Sequence, residues 1–583
     1  MRKNRPPLIG IIVIAAAFSF WALGRNDIVT DESSYATRAI GLVDFDFGIE
    51  QPTPWQWVDE IPWWMHLSFH DHPPLVFLTQ HFSMRLFGET PFAVRLPSAL
   101  AGVTSVLLLY LIGKRLYSAP VGLASAALFA VTVNHVWISR VGLQESILIA
   151  LMLAATHCFL RAVTPRTSVS IGHPIDTVRL EAPASSPWWL VAAATFLGLA
   201  FLAKYLALIL IPIFATIFWL QRKRSAPITA FYFLLSIFCF LVIASPVVIY
   251  NIQLYRNFGH FDFQFSLLFG QDVQAWQSRP GQESLGSLGN RIAHLIPWLI
   301  GANSPYFLLL SAGGLLLAGW KTLRRRTTLH IPLAIIILWL VPFLVFVGPA
   351  YRFLTIATPW LAIAAGYGAV QVYQRLRLNW RIAWLALAAF AAFAAFEGFY
   401  SYASVIAASP IGKNPWTYSR LRDENSTWGF NQLEEYVAGE LDGKMPEVAI
   451  TFQYQFAREI LGRAVAANRA KGLETVPIGI VYNGNMNTSA ELWTFLRRIT
   501  YQGWPITNAE IFRNDDGREF LQQSGVKKIY FFNSTASVLQ DRFRTPAPDG
   551  DIIEQELKRK GAVAKEIKNP RGETAFRVYQ FKL

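Results

Sequence analysis

The chain has 583 residues, 53% hydrophobic and only 15% charged, with a formal net charge of +14. Its mean hydropathy of +0.32, with apolar runs long enough to cross a bilayer core of ~30 Å recurring over the first four hundred positions, excludes a soluble multidomain protein. The two cysteines, Cys158 and Cys239, lie inside apolar runs without Cys-x-x-Cys spacing, which excludes a disulfide framework and a thiolate metal site.

From the N-terminus, Arg2, Lys3 and Arg5 precede a first apolar run with no small-residue cleavage site after it, so an uncleaved helix is expected. Spans are expected near 8–24, 95–112, 119–137, 145–162, 188–203, 206–220, 228–250, 292–318, 330–348, 353–373 and 382–403. With the N-terminus inside, the inner segments hold Arg2, Lys3, Arg5, Lys114, Arg115, Arg161, Arg166, Arg179, Arg222, Lys223, Arg224, Lys321, Arg324, Arg325, Arg326, Arg375, Arg377 and Arg381. Against these eighteen cations stand only Asp176 and Glu181, the asymmetry that the positive-inside rule demands. The pI of 9.7 is therefore a topology signal, and no nucleic-acid partner is expected. The polar piece 164–187 is expected to be a cytoplasmic loop.

An odd number of spans puts the tail outside. From about Ala407 the composition changes, and short β-rich runs (Val448–Phe452, Ile478–Tyr482, Lys528–Phe532, Phe576–Leu583) alternate with helical stretches such as Ala490–Ile499 and Arg518–Gln523. The expected fold class is mainly α. A polytopic domain of about eleven spans over 1–406, with an outer loop at 25–94, precedes a small extracytoplasmic α/β domain over 407–583. The expected location is a bacterial plasma (inner) membrane, where the Asn-x-Ser/Thr strings at Asn425, Asn487 and Asn533 carry little weight.

The outer loop is unlike the rest of the chain. It holds Asp27, Asp31, Glu32, Asp44, Asp46, Glu50, Asp59, Glu60 and Asp71 among Trp55, Trp57, Trp63 and Trp64. Carboxylates hung between two spans are costly unless they face water or a substrate. The tryptophans can stack a sugar or anchor the loop at the interface. His66, His70, Asp71 and His72 can ligate a divalent ion, although their spacing fits no standard zinc pattern, and Pro73-Pro74 alone would fix a turn there.

Other charges sit on the wrong side of the topology: Arg95 at the start of the second span, Arg140 and Glu145 flanking the fourth, Lys204 and Tyr205 in a very short outer turn, and Tyr351 with Arg352 in another. Cations in tight outer turns can converge on an anion such as a phosphate, or snorkel to headgroups.

Taken in order, Asp31-Glu32-x-x-Tyr35, His72-Pro73-Pro74-Leu75, Arg95-Leu96-Pro97-Ser98, Ser139-Arg140 with Glu145, Ala203-Lys204-Tyr205 and Tyr351-Arg352-Phe353-Leu354 resemble the GT-C superfamily of polyprenyl-phosphate-dependent glycosyltransferases. The likeness is to the bacterial aminoarabinose-lipid A transferase and protein O-mannosyltransferase group, and covers about 1–375. It implies inverting transfer of a hexosyl- or pentosyl-type sugar from a lipid phosphate to a hydroxyl of a lipid, glycan or protein acceptor. Asp31 matches the catalytic acidic position and Glu32 its companion. Lys204 matches the cation near the donor phosphate, and Arg352 lines the same cavity. Tyr35, His72, Arg95, Arg140, Glu145, Tyr205 and Tyr351 fall among the substrate-binding positions. Ser33 and Ser34 stand where relatives often carry a basic residue, Tyr205-Leu206 where they have Gly-Pro, and Glu145 where an aspartate is more usual.

Chemically, a hydroxyl nucleophile needs a base and a leaving phosphate needs positive charge. Because a lipid phosphate is already a good leaving group, no cofactor is required and a divalent metal is optional. A multispan transporter or flippase for a lipid-linked or anionic substrate is the alternative, but transporters concentrate charge at mid-membrane and carry inverted repeats, and neither is visible here. A non-catalytic assembly or receptor protein that binds through the outer domain is a third reading.

Overall fold

The computed structural model describes residues 5–583 except 30, 46–51, 164–165, 170–177, 182–185, 222–228, 275, 277–285, 326–327, 378, 408–415, 425–426, 448–451, 487–488 and 539–546. Asp46, Glu50, Asp176, Asn425, Asn487, most of the strand expected at 448–452 and several inner-loop cations lie outside the described residues.

The chain is mostly helical. In order come α1 (Arg5–Phe20), α2 (Glu32–Gly41), α3 (Leu75–Phe87), α4 (Pro91–Leu116), α5 (Ala119–Val131), α6 (Val133–Ser139), α7 (Gln144–Val163) and α8 (Trp188–Ala203). They are followed by α9 (Leu210–Gln221), α10 (Ala230–Phe258), α11 (Phe263–Leu268), α12 (Leu288–Ala302), α13 (Pro305–Arg325), α14 (Ile331–Val347), α15 (Tyr351–Leu354), α16 (Thr358–Leu376) and α17 (Trp380–Ser401). Among the described residues, α4, α7, α10, α13 and α17 are long and apolar enough to cross a membrane, and the bent pair α5–α6 adds a sixth candidate. Four shorter apolar helices, α1, α8, α9 and α14, fall where spans are expected, so the chain is an integral membrane protein. The α5–α6 bend of 64° falls at Thr132, whose hydroxyl donates back to the Leu128 carbonyl. Between α7 and α8 the expected loop contains an antiparallel pair, β1 (Arg166–Val169) and β2 (Val178–Glu181).

One expected span is interrupted. The stretch 292–318 breaks at Asn303–Ser304, where α12 ends and Pro305 opens α13 at the position proline tolerates best. Ser304 Oγ accepts the Phe307 amide (3.4 Å) and donates to Glu397 Oε1 of α17 (2.5 Å). Leu288, Ile292, Ile296 and Ile300 recur every fourth residue along α12 and are all exposed, the apolar stripe of a helix suited to lie along a membrane surface.

The chain divides into two compact units, one formed by residues 1–23, 66–88 and 93–422 and the other by 24–65, 89–92 and 423–583. The outer loop 25–94 is thus shared between them. The second unit contains α2, α18 (Phe430–Leu441), α19 (Gln455–Ala470), α20 (Arg497–Gln502) and α21 (Pro548–Arg559), with β3 (Lys444–Pro446), β4 (Glu474–Val476), β5 (Ile478–Tyr482), β6 (Ile506–Asn508), β7 (Lys528–Ser534), β8 (Lys565–Lys568) and β9 (Thr574–Lys582). The main sheet runs β6-β5-β7-β9-β8, with β5 parallel to both β6 and β7 and β9 antiparallel to β7 and β8. Alternate side chains of β5 and β7 feed two cores: Ile478, Ile480, Tyr530 and Phe532 pack with α18, while Val481, Ile529 and Phe531 pack with α21. A sheet buried on both faces explains why these strands read as near-continuous apolar runs.

Candidate active-site residues

In the second unit, Asp31 is the N-cap of α2 and Glu32 its first residue. The two carboxylates differ in setting. Glu32 is fully buried, and its Oε2 accepts the Val29 amide at 3.1 Å, closing the turn that precedes the helix. Asp31 is partly exposed. Tyr35, one turn on, is buried, and the buried Arg38 donates from Nε to the Phe45 carbonyl (3.2 Å). Of the four tryptophans, Trp55 is buried edge-on against Phe456 (5.6 Å) and Trp64 is buried, whereas Trp63 is exposed.

In the first unit the cations separate into two groups. Arg95 and Arg140 close the C-terminal end of α1: Arg140 Nη1 donates to the carbonyl of Phe18 (2.8 Å) and, more distantly, of Ser19 (3.3 Å), its Nη2 to that of Ala22 (3.2 Å), and Arg95 Nη1 to that of Leu23 (3.0 Å). The Phe18 and Ser19 carbonyls are orphan acceptors of the helix end, those of Ala22 and Leu23 lie in the turn that follows it, and cations are favoured at such an end.

Lys204 and Arg352 are placed differently. α8 ends at Ala203, and Lys204 is extended (φ −165°, ψ 140°) before a 3-10 turn over Tyr205–Ile209. Its Nζ lies 2.5 Å from Glu145 Oε1 and 4.9 Å from the centroid of Phe353. The Arg352 guanidinium lies over the same ring, at 5.1 Å. Sequence spacing alone does not bring these three elements together; the fold does. Glu145 Oε2, and both amide atoms of its fully buried chain neighbour Gln144, have no hydrogen-bond partner among the described residues. Unpartnered buried polar atoms are expensive unless a ligand or water completes them.

Tyr205 points its hydroxyl to Asp262 Oδ2 (2.6 Å), and Asn251 Nδ2 donates to the same oxygen (2.9 Å). Asp262 caps α11 by accepting the Phe265 amide (2.9 Å). Burial pushes the Asp262 carboxyl up to about 6, opposed by the hydrogen bonds from Tyr205, Asn251 and Phe265. Neither Asp262 nor Asn251 stood out in the sequence; the only local trace is an aspartate three residues ahead of a phenylalanine. Tyr351 packs on Trp298 (4.6 Å) close to Gly301, at the end of α12. His72 Nδ1 is 3.0 Å from Asp71 Oδ2, and His70 Nδ1 is 3.8 Å from Asp71 Oδ1, with His70 fully buried and His66 exposed.

The family described as "Dolichyl-phosphate-mannose-protein mannosyltransferase" matches residues 71–171, from Asp71 through α7. "Putative mannosyltransferase YycA" of Bacillus subtilis (strain 168) is 30% identical over 156 residues, 27% of this chain and 20% of that protein. "Putative mannosyltransferase YkcB" of the same organism is 25% identical over 226 residues, 38% of this chain and 29% of that protein. The matched stretches therefore span less than a third of either relative. The crystal structure of ArnT from Cupriavidus metallidurans bound to undecaprenyl phosphate matches with a TM-score of 0.51 at 14% identity, covering 98% of this chain and 97% of ArnT. The apo form gives 0.52 at 15% identity. At such identity the likeness establishes the fold, and these matches agree with the glycosyltransferase resemblance read from the sequence.

Proposed function

We propose that this chain is an inverting glycosyltransferase of the GT-C type that moves a hexosyl- or pentosyl-type sugar from a polyprenyl phosphate to a hydroxyl acceptor (lipid, glycan or protein) at the outer face of a bacterial inner membrane. The observation that carries this reading is the convergence of Lys204 and Arg352 on Phe353, with the Glu145 that pairs with Lys204 keeping its second carboxylate oxygen unpartnered among the described residues. Two cations from separate outer turns, gathered on one ring, suit a phosphate bearing a sugar.

In this mechanism the Asp31 carboxylate takes the proton of the acceptor hydroxyl as its oxygen attacks the anomeric carbon from the face opposite the phosphate. The bond between the anomeric carbon and the phosphate oxygen breaks, and its electron pair leaves with the polyprenyl phosphate, whose developing charge Lys204 and Arg352 offset. The configuration inverts, and the proton passes from Asp31 to water. Glu32, turned inward onto the Val29 amide, holds the turn that presents Asp31. None of these steps calls for a metal.

The charge asymmetry supports an eleven-span topology with the N-terminus cytoplasmic and 407–583 outside. The reading is tested by incubating the purified protein with a synthetic polyprenyl-phosphate sugar and envelope acceptors and following product by mass spectrometry. Transfer that requires Lys204 and Asp31 supports it; no transfer from any such donor, or transfer indifferent to both residues, overturns it.

A further inference from the structure

The second unit joins residues 24–65 to a sheet domain four hundred residues downstream, and the join is specific. The N-cap of α18 is Gly429, whose φ of +116° suits glycine, and a Cβ there would lie 2.7 Å from the Ala575 Cβ. A side-chain cap is therefore sterically barred from the usual position, and α18 has none of its own. Asp27 supplies it instead: Oδ2 accepts the Phe430 amide and Oδ1 the Asn431 amide, both at 3.0 Å. Asn431 answers with its own side chain, donating from Nδ2 to the carbonyls of Gly24 (2.9 Å), Arg25 (3.0 Å) and Asn26 (3.0 Å). Further along α2, the Tyr501 hydroxyl donates to the carbonyl of Thr37 (2.7 Å) in the middle of the helix, and a Cβ on Gly41 at its C-terminal end would meet the Tyr501 ring at 2.8 Å. Asp27 is buried, and so is Tyr35 on the helix between these two attachments.

We propose that the C-terminal α/β domain is the positioning element of the reaction: the reciprocal Asp27–Asn431 lock and the Tyr501–Thr37 bond fix both ends of the segment that carries Asp31. Asp27, Asn431 and Tyr501 are positioning residues, acting through the backbone of 24–41. This rests on the base role of Asp31 proposed above. A carboxylate on a turn between two anchored points is held where a free loop would let it wander, and a misplacement of ~1 Å at a reacting group can cost about 10²-fold in rate.

The test uses the full-length protein in nanodiscs with a synthetic polyprenyl-phosphate sugar, comparing Asp31→Asn, Asp27→Ala, Asp27→Asn, Asn431→Ala and Asn431→Asp. Asn431→Asp turns an amide whose two N–H groups serve three carbonyls into a carboxylate facing them, and should lower kcat by about 10²-fold with the donor KM within about threefold of wild type. Asn431→Ala should lose less. Asp27→Asn keeps the volume and one acceptor, and so should retain more kcat than Asp27→Ala; it carries the comparison if Asp27→Ala does not fold. Hydrogen exchange should show faster exchange confined to 24–41 and the first turn of α18, with the β5–β7 amides unchanged. A merely structural role would instead move exchange across the whole domain and lower the yield of folded protein without splitting kcat from KM. If Asp31→Asn is inactive while the Asp27 and Asn431 variants keep wild-type kcat, the positioning proposal is overturned and the base assignment stands. If Asp31→Asn itself turns over normally, the base assignment falls first.

Discussion

Replacing Lys204 separates two effects that the buried pair with Glu145 combines. The side chains are 11% and 1% exposed, and Nζ and Oε1 are 2.5 Å apart, so solvent screens the pair little. Lys204→Met alone leaves Glu145 buried without its counter-charge, which should destabilise the fold by about 3–5 kcal/mol. Its loss of activity would then be ambiguous. The double variant Lys204→Met/Glu145→Gln replaces the ion pair by a neutral one of similar volume, and most of that destabilisation should vanish. What would not return is the charge that the proposed role has Lys204 offer to a donor phosphate. A lost charge-assisted hydrogen bond is worth about 1.5–3 kcal/mol, or roughly 10- to 100-fold in donor kcat/KM. The assay is steady-state transfer from a synthetic donor, with thermal unfolding of the same samples. A double variant with wild-type stability and wild-type kcat/KM would refute the phosphate role and leave Lys204 as the partner of Glu145 alone.

Gln144→Leu removes a buried amide with no partner among the described residues, so the protein should be as stable as wild type or more so, while the donor KM rises; an unchanged KM would show that the amide faces no ligand. Asp262, raised by burial to about 6 against an unfolded value near 3.8, binds its proton more tightly in the folded state. Its contribution to stability is therefore fully present below about pH 4 and is lost as pH rises through 6, about 3 kcal/mol for two units. Asp262→Asn should melt higher than wild type at pH 7.5 and alike at pH 4, in detergent-solubilised protein; equal melting points at pH 7.5 would contradict this. For topology, a cysteine at the 89%-exposed Val563 should label from outside intact cells, and one at Ser168 only after permeabilisation; outside labelling at 168 would invert the layout.

Much of this was legible in the sequence because its cause is local. Apolar runs long enough for a bilayer became helices, and the β-rich runs at 478–482, 528–532 and 576–583 became β5, β7 and β9. The break within 292–318 was also local, in Asn303-Ser304-Pro305, but an averaged hydropathy hides a cap and a helix-opening proline inside an otherwise apolar stretch. The candidate site was only half legible. The wrong-side cations stood out against the charge rule, yet nothing in their spacing separates Arg95 and Arg140, engaged at the end of α1, from Lys204 and Arg352, gathered on Phe353. The partners Asp27 and Asn431 lie 404 residues apart, and no periodicity or motif links positions so distant.

The two adjacent carboxylates give the most direct test. Glu32→Gln keeps an oxygen able to accept the Val29 amide and should retain much of the activity. Asp31→Asn keeps shape and most hydrogen bonds but cannot take a proton, and general-base catalysis is typically worth ~10²–10⁴ in rate. The measurement is the initial rate of sugar transfer from a synthetic polyprenyl-phosphate donor by purified, monodisperse Asp31→Asn beside Glu32→Gln and wild type. A loss of at least about 10²-fold in Asp31→Asn, exceeding that in Glu32→Gln, is the predicted result. Near-wild-type turnover in Asp31→Asn, or a larger loss in Glu32→Gln, would contradict it.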